Sequence, residues 1–227
     1  MKQKDIISFK VFHRWFYLSC PRPLESWWRQ VLAGEEEIGE RFPYWLEVWP
    51  SSILLAKFIL KNPSLFKEKL CLDIGCGLGA LSIALSMVGG KVISQDIEFE
   101  SLIYCKKNLL QNHLPPSLCV QGDWGRPCYH TESVDIIVGA DIIYEKKAHI
   151  PLARFISDLL KPHARAYIAA PHREGSFRFF REISSYNLEA TQITNSKIPF
   201  NGQSPRIFLW EISKMSTSHL SGTSHNP

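Results

Sequence analysis

Four apolar runs end on aspartates: Asp73 within 70–74, Asp96 after 91–95, Asp123 after 118–122 and Asp141 after 134–140. A carboxylate at such a position accepts hydrogen bonds from hydroxyls and amines. Gly75, Gly77 and Gly79 follow the first run. Glycines there let the backbone turn sharply and approach a ligand closely, with a helix N-terminus aimed at it. Asp96 comes 21 residues after Gly75, a spacing that suits an acid taking both hydroxyls of a ribose. Asp123 can take the exocyclic amine of an adenine, and the indole of Trp124 can pack on its face. Asp141-Ile142-Ile143-Tyr144 puts a carboxylate and a phenol close together, a pair able to hold and orient an amine.

Each of these residues also has a plainer reading. A glycine-rich turn is often only a tight loop, Trp124 a packed aromatic, Asp141 a helix N-cap and Tyr144 a core side chain. Gly75 to Ala80 also satisfies the G-x-G-x-x-[GA] pattern of dinucleotide-binding turns. Asp73 weighs against a nicotinamide cofactor, because it lies inside the run where that fingerprint is apolar. The pattern at the end of the chain weighs against it too.

The elements that must position these residues alternate. Runs at 70–74, 91–96, 118–122, 134–140 and 166–170 read as strands, the fourth apolar enough to be buried on both faces. Between them Leu81, Ala84, Leu85 and Val88 fall on one helical face, and Gly89-Gly90 stops that helix. Phe99, Leu102, Ile103 and Leu110 mark a second helix, and 150–160, stopped at Pro162, a third. A helix is also expected over 52–60, entered through Pro50, and another around 177–183. Runs near 187–194 and 205–212 flank Asn201-Gly202, a hairpin signal. The expected fold is α/β: a doubly wound, mostly parallel seven-stranded sheet of Rossmann-like type ending in an antiparallel hairpin. In such a sheet ligands bind beyond the carboxyl ends of the strands, where the four acids stand.

The chain has 227 residues, 45% of them apolar and 21% charged, enough for one core with an extension. We read three parts: an aromatic-rich N-terminal extension or cap over 1–42, a catalytic domain over 43–212 and a disordered polar tail over 213–227. A net charge of +4 does not call for nucleic acid as a partner. The six cysteines contain no C-x-x-C pair and read as reduced thiols, so no metal site is expected. The polar start lacks a signal-peptide pattern, and the run 53–60, interrupted by Lys57, is too short to span a bilayer. A cytoplasmic monomer is expected.

With these motifs in place, the chain resembles the seven-β-strand protein-lysine methyltransferases that carry a D-x-x-Y motif (methyltransferase family 16, the methyltransferase-like 21 group). The resemblance covers about 42–212. It rests on Pro43-Tyr44-Trp45-Leu46-Glu47-Val48-Trp49-Pro50, Asp73 to Gly79, Asp96, Asp123-Trp124 and Asp141 to Tyr144. It implies a class I methyltransferase fold and S-adenosylmethionine as cofactor. Trp49, Asp73, Gly75, Gly77, Asp96, Asp123 and Trp124 would lie at the cofactor, and Asp141 and Tyr144 at the acceptor lysine of a protein substrate. Two other readings stand beside it: transfer to a small-molecule or other nitrogen, and a non-catalytic module that only binds the cofactor.

Overall fold

The computed structural model describes residues 5–21, 24–34 and 43–215. Its centre is set by strand alternation. Along β3 (Leu70–Ile74) Cys71 enters one hydrophobic cluster and Leu72 and Ile74 another; along β6 (Val134–Ala140) Ile136 and Val138 oppose Ile137 in the same way. Side chains of period two thus give the sheet two apolar faces, and each needs a helical layer. Helices α2 (Pro50–Lys61), α4 (Ala80–Met87) and α5 (Phe99–Gln111) cover one face, and α6 (His149–Leu159) and α7 (Glu174–Glu182) the other. A short α3 (Pro63–Phe66) leads into β3.

The remaining strands are β4 (Lys91–Asp96), β5 (Leu118–Gln121), β7 (Leu160–Pro171), β8 (Leu188–Lys197) and β9 (Arg206–Lys214). The sheet order is β5-β4-β3-β6-β7-β9-β8, parallel from β5 to β7, with β9 antiparallel to both β7 and β8. This is the expected doubly wound seven-stranded sheet with its C-terminal hairpin. Asn201 and Gly202 turn that hairpin, both at positive φ (47° and 74°). Chain order reverses beside β3, which leaves a crevice between the ends of β3, β4 and β6.

Several boundaries move. The third expected helix ends at Leu159, not at Pro162. Lys161 precedes a proline, which disfavours helical backbone, and β7 starts at Leu160 and runs through Pro162. On α5, Phe99 and Leu110 are exposed, and the buried face is Leu102, Cys105 and Leu109. Strand β9 pairs as far as Lys214, so the polar tail begins later than residue 213; residues 216–227 lie outside the described residues.

The described N-terminal part is a second, two-stranded sheet of β1 (Asp5–Val11) and β2 (Arg14–Cys20), followed by α1 (Leu24–Leu32). It packs on the helical layer, with Val11, Phe16 and Leu18 fully buried. Among the described residues, β2 has no neighbouring strand on the edge away from β1. Two asparagines one turn apart on α5 take that role. Asn108 accepts from the Ser19 amide (2.8 Å) and donates to the Ser19 carbonyl (3.1 Å). Asn112 does the same for Tyr17 (3.0 and 2.7 Å). Asn108 also donates to the Leu78 carbonyl (2.9 Å), which ties the hairpin to the glycine turn.

Asn108 is fully buried, so Asn108→Ala strands two carbonyls and an amide that have no water to replace it. We expect a loss of about 2–4 kcal/mol in urea unfolding, against about 1 kcal/mol for the more exposed Asn112→Ala. Equal losses would show that the bonds of Asn108 are not what holds the hairpin.

Candidate active site

A cavity of about 530 Å³ fills the crevice, within the range of small-molecule sites. One wall is the glycine turn. Its shape is fixed by β4: the Gln95 carbonyl accepts from both Gly75 and Cys76 amides at 2.9 Å. Gly75 (φ 70°) and Gly77 (φ 51°) both line the cavity in left-handed backbone, and a Cβ on Gly75 would stand 3.0 Å from Cγ2 of Ile142. Glycine is required here by both conformation and space. Gly79 (φ 89°) has another duty: a Cβ there would meet Sγ of Cys105 at 2.7 Å, so it permits α4 to pack on α5.

Asp96, at the end of β4, is nearly buried. Its Oδ2 accepts from the Gly77 amide (2.9 Å) and its Oδ1 from the Glu98 amide (3.0 Å). Burial pushes its pKa up, and these two amides pull it back down. Each oxygen keeps a lone pair, so the group can still accept from a diol in the cavity. Asp123 and Trp124 line the next strand end. Oδ1 of Asp123 is engaged by the Gly125 amide (2.7 Å), which leaves its other oxygen for a ligand.

Asp73 departs from the expected set, since it does not line the cavity. It shares the strand face of Cys71 and points under α4, where its Oδ2 accepts from the Ser82 hydroxyl at 2.7 Å. Its Oδ1 is buried with no partner, and burial raises its pKa to about 7. Alternation along β3 explains this: the acid falls two residues short of the turn, on the helix side.

The opposite wall begins at Asp141, which adopts left-handed backbone (φ 55°), a conformation aspartate tolerates better than most residues. The N-terminus of α2 has Trp49 as N-cap with no side-chain cap bond, and Pro50 has no N–H to offer. The Asp141 carboxylate serves it instead, accepting from the Ser51 amide at 3.3 Å. The N-cap reading of Asp141 therefore holds in part, but for a helix 90 positions earlier in the chain. Burial raises the pKa of Asp141, and Ser51 and Arg173 oppose that rise. Tyr144, half exposed, places its ring 4.9 Å from that of Tyr44. Trp49 also lines the cavity; its Nε1 donates to the Tyr44 carbonyl (2.9 Å) and its ring lies 5.8 Å from Phe200 at the hairpin tip.

Eight of the nine expected site residues therefore meet at one cavity: Trp49, Gly75, Gly77, Asp96, Asp123, Trp124, Asp141 and Tyr144. Sequence reasoning gave no role to Tyr44, Glu47, Glu98, Glu145 or Lys147, which also line it. Tyr44 and Glu47 lie in the Pro43–Pro50 segment singled out above, whereas the other three carried no spacing signal. Among the described lining residues, six are acidic (Glu47, Asp96, Glu98, Asp123, Asp141, Glu145) and one, Lys147, is basic. The lining is thus acidic although the chain as a whole carries a net charge of +4.

Comparison with known proteins bears on the family and the fold. The family described as lysine methyltransferase matches residues 30–186. The chain is 31% identical over 122 residues to the electron transfer flavoprotein beta subunit lysine methyltransferase of Danio rerio, covering 53% of this chain and 46% of that one. It is 30% identical over 151 residues to the calmodulin-lysine N-methyltransferase of Arabidopsis thaliana, covering 62% and 50%. The chain thus spans about half the length of these relatives. Among solved structures, the T. Thermophilus 16S rRNA methyltransferase in complex with AdoMet and guanosine superposes with a TM-score of 0.67 at 14% identity, over 94% of this chain and 51% of that one. At that identity the likeness is one of fold.

The buried Asp73 makes stability depend on pH. It ionises near 3.8 when unfolded and at about 7 when folded, so the folded chain holds the extra proton between those values. Its contribution is full below about pH 3.8 and is lost as pH rises toward 7. Asp73→Asn keeps an acceptor for Ser82 and removes the titration. Urea unfolding from pH 4 to 7 should therefore decline less steeply in the variant; parallel slopes would mean that Asp73 is not the group responsible.

Proposed function

The chain belongs to the lysine methyltransferase family, and from that premise we propose that it transfers a methyl group from S-adenosylmethionine to the side-chain amine of a lysine in a protein substrate. The observation that supports this reading is a single cavity that brings Gly75, Gly77 and Asp96, a set suited to a nucleoside, together with Asp141 and Tyr144, a pair suited to an amine, under an acidic lining.

The residues present suit that cofactor. Gly75 and Gly77 line the cavity without side chains and so admit close approach of a ligand, and the lone pairs left on Asp96 suit ribose hydroxyls. Asp123 and Trp124 offer an acceptor and a ring face for adenine, and Trp49 closes the side nearest α2. The bound cofactor would supply a methyl group on a positively charged sulfur, a charge that the acidic wall favours. The described residues contain no cluster able to hold a metal, and this chemistry requires none.

At the other end the acceptor must arrive as a neutral amine with its lone pair aimed. A free lysine has a pKa near 10.4, and a water-poor pocket lowers it. Asp141 can hold the amine through the oxygen not bonded to Ser51 while its bond to Ser51 fixes its position. The Tyr144 phenol and the Tyr44 ring can flank the side-chain stem. Most of the acceleration would then come from alignment for in-line displacement.

We further place the protein in the cytoplasm as a monomer. No disulfide joins its six cysteines, as suits a reducing compartment, and no helix among the described residues is long and apolar enough to cross a membrane. The N-terminal hairpin acts as a packing extension of the helical layer, a reading supported by its Asn108 and Asn112 anchors.

Asp96→Ala should weaken S-adenosylmethionine binding by about 1–3 kcal/mol in calorimetry, the loss of charge-assisted hydrogen bonds. Asp141→Asn can keep the bond from Ser51 while removing the charge. It should abolish transfer of labelled methyl to lysate proteins and leave cofactor affinity within about twofold. Mass spectrometry of proteins labelled by the wild-type chain should find the methyl on lysine Nζ. Label on another nitrogen, or an Asp141→Asn variant that loses cofactor and transfer together, would overturn the assignment.

A further inference from the structure

Helix α2 begins with few groups of its own to satisfy its first turn. Trp49 precedes it in extended backbone (φ −69°, ψ 151°) with no side-chain cap bond, and Pro50 has no N–H. Ser51 therefore carries the first amide of the helix that can donate, and it donates to Oδ2 of Asp141 at 3.3 Å. The aspartate is pinned from another side as well, because its own amide donates to the Ala169 carbonyl on β7 (3.0 Å). Asp141 lines the cavity, as do Trp49 and Ser52, whereas Ser51 is wholly buried and does not.

The hydroxyl of Ser51 has no work to do within the helix. Its oxygen is buried and completes no hydrogen bond, neither back to a carbonyl of the preceding turn nor forward to an amide. A buried hydroxyl without a bond costs free energy that an alanine would avoid. It stands a few bonds from the amide that holds Asp141, and near enough to that carboxylate to oppose the rise that burial causes in its pKa. Among charged groups, Arg173 beyond β7 acts in the same direction. Tyr144, Glu145 and Lys147 follow Asp141 in the chain and share its cavity, the last two paired with each other at 2.9 Å. Tyr44 and Glu47 share it from the segment before α2.

We propose that Ser51 is a positioning residue for the transfer, its amide and its hydroxyl together holding Oδ2 of Asp141 so that the group meets the acceptor as a carboxylate. The proposal rests on the reading above that Asp141 receives the acceptor amine. A carboxylate accepts from an N–H of the neutral amine and leaves the nitrogen lone pair free for the methyl. A protonated Asp141 would donate to that lone pair and block it. Two donors on one oxygen favour the charged form, and they come from the start of a helix, where a negative charge is also stabilised. The hydroxyl turns onto Oδ2 when the amine engages the other oxygen. The serine keeps its own proton throughout and acts only through Asp141.

Two measurements separate this role from the reading it rests on. Carbon-13 NMR of the full chain follows the Asp141 carboxyl through a pH titration, assigned with Asp141→Asn. It is run on wild type, Ser51→Ala and Ser51→Thr, with thermal melting checking that each variant folds. Ser51→Ala keeps the amide and loses the hydroxyl, so its Asp141 midpoint should move to higher pH; Ser51→Thr keeps both and should stay with wild type. Transfer of labelled methyl from S-adenosylmethionine to lysate proteins is then followed across pH. The titration of the acceptor amine cancels in the ratio of variant to wild-type rate. For Ser51→Ala that ratio should fall to about one tenth at the acid end and return to near one at the alkaline end, the size expected for one charge-assisted hydrogen bond. An Asp141 midpoint that stays in place in Ser51→Ala, or a rate ratio that is flat across pH, would overturn the proposal. So would a folded Ser51→Thr that behaves as Ser51→Ala does; if Ser51→Thr does not fold, the Ser51→Ala midpoint and ratio decide. A wild-type chain that transfers no methyl, although its Asp141 midpoint responds to Ser51→Ala, would sink the reading of the site and the role in transfer with it.

Discussion

The amide of Ser51 and the carboxylate of Asp141 lie 3.3 Å apart and 90 positions apart in sequence. That bond joins the end of a central strand to the start of a helix with no cap of its own. Helix α2 needs an acceptor for its first free amide, and Pro50 removes the one before it. Asp141 provides it, at the cost of a left-handed backbone that the neighbouring sheet imposes. The same contact draws the Tyr44 to Trp49 segment over the crevice, so one hydrogen bond sets both the helix entry and the roof of the cavity.

The rest of the site is built by a similar economy of backbone groups. The Gln95 carbonyl gathers two amides of the glycine turn, and Asp96 takes a third from Gly77. Asn108 reaches from α5 to the Leu78 carbonyl on one side and to Ser19 on the other. Every unpaired backbone group in a water-poor interior must find a partner. Here those partners are the Gln95 carbonyl and side chains from other parts of the chain, and meeting the requirement also shapes the glycine turn.

Charge follows from the same packing. Burial pushes the pKa values of Asp73, Asp96, Asp141 and Glu47 up, because it disfavours their ions. Asp73 ends up away from the cavity, whereas the other three face into it. The fold therefore holds poorly solvated acids around a space open to a ligand, an arrangement that a positively charged guest relieves.

What the sequence by itself determined was local and periodic. Alternating apolar runs specified the strands, three glycines and Pro50 marked two helix entries, and Asn201-Gly202 marked the hairpin. The acids at strand ends could be placed together because a parallel sheet puts all its carboxyl ends on one edge. That rule brought Asp96, Asp123 and Asp141 to one cavity, and it failed for Asp73, whose strand face is set by register and not by nearness to the turn. Tertiary structure alone decided the contacts between distant segments: Asp141 capping α2, and Asn108 and Asn112 standing in for a strand. No spacing in a chain encodes such contacts, because they depend on how two separately determined elements pack. Hydrogen-bond satisfaction and desolvation act on that packing once the chain has closed.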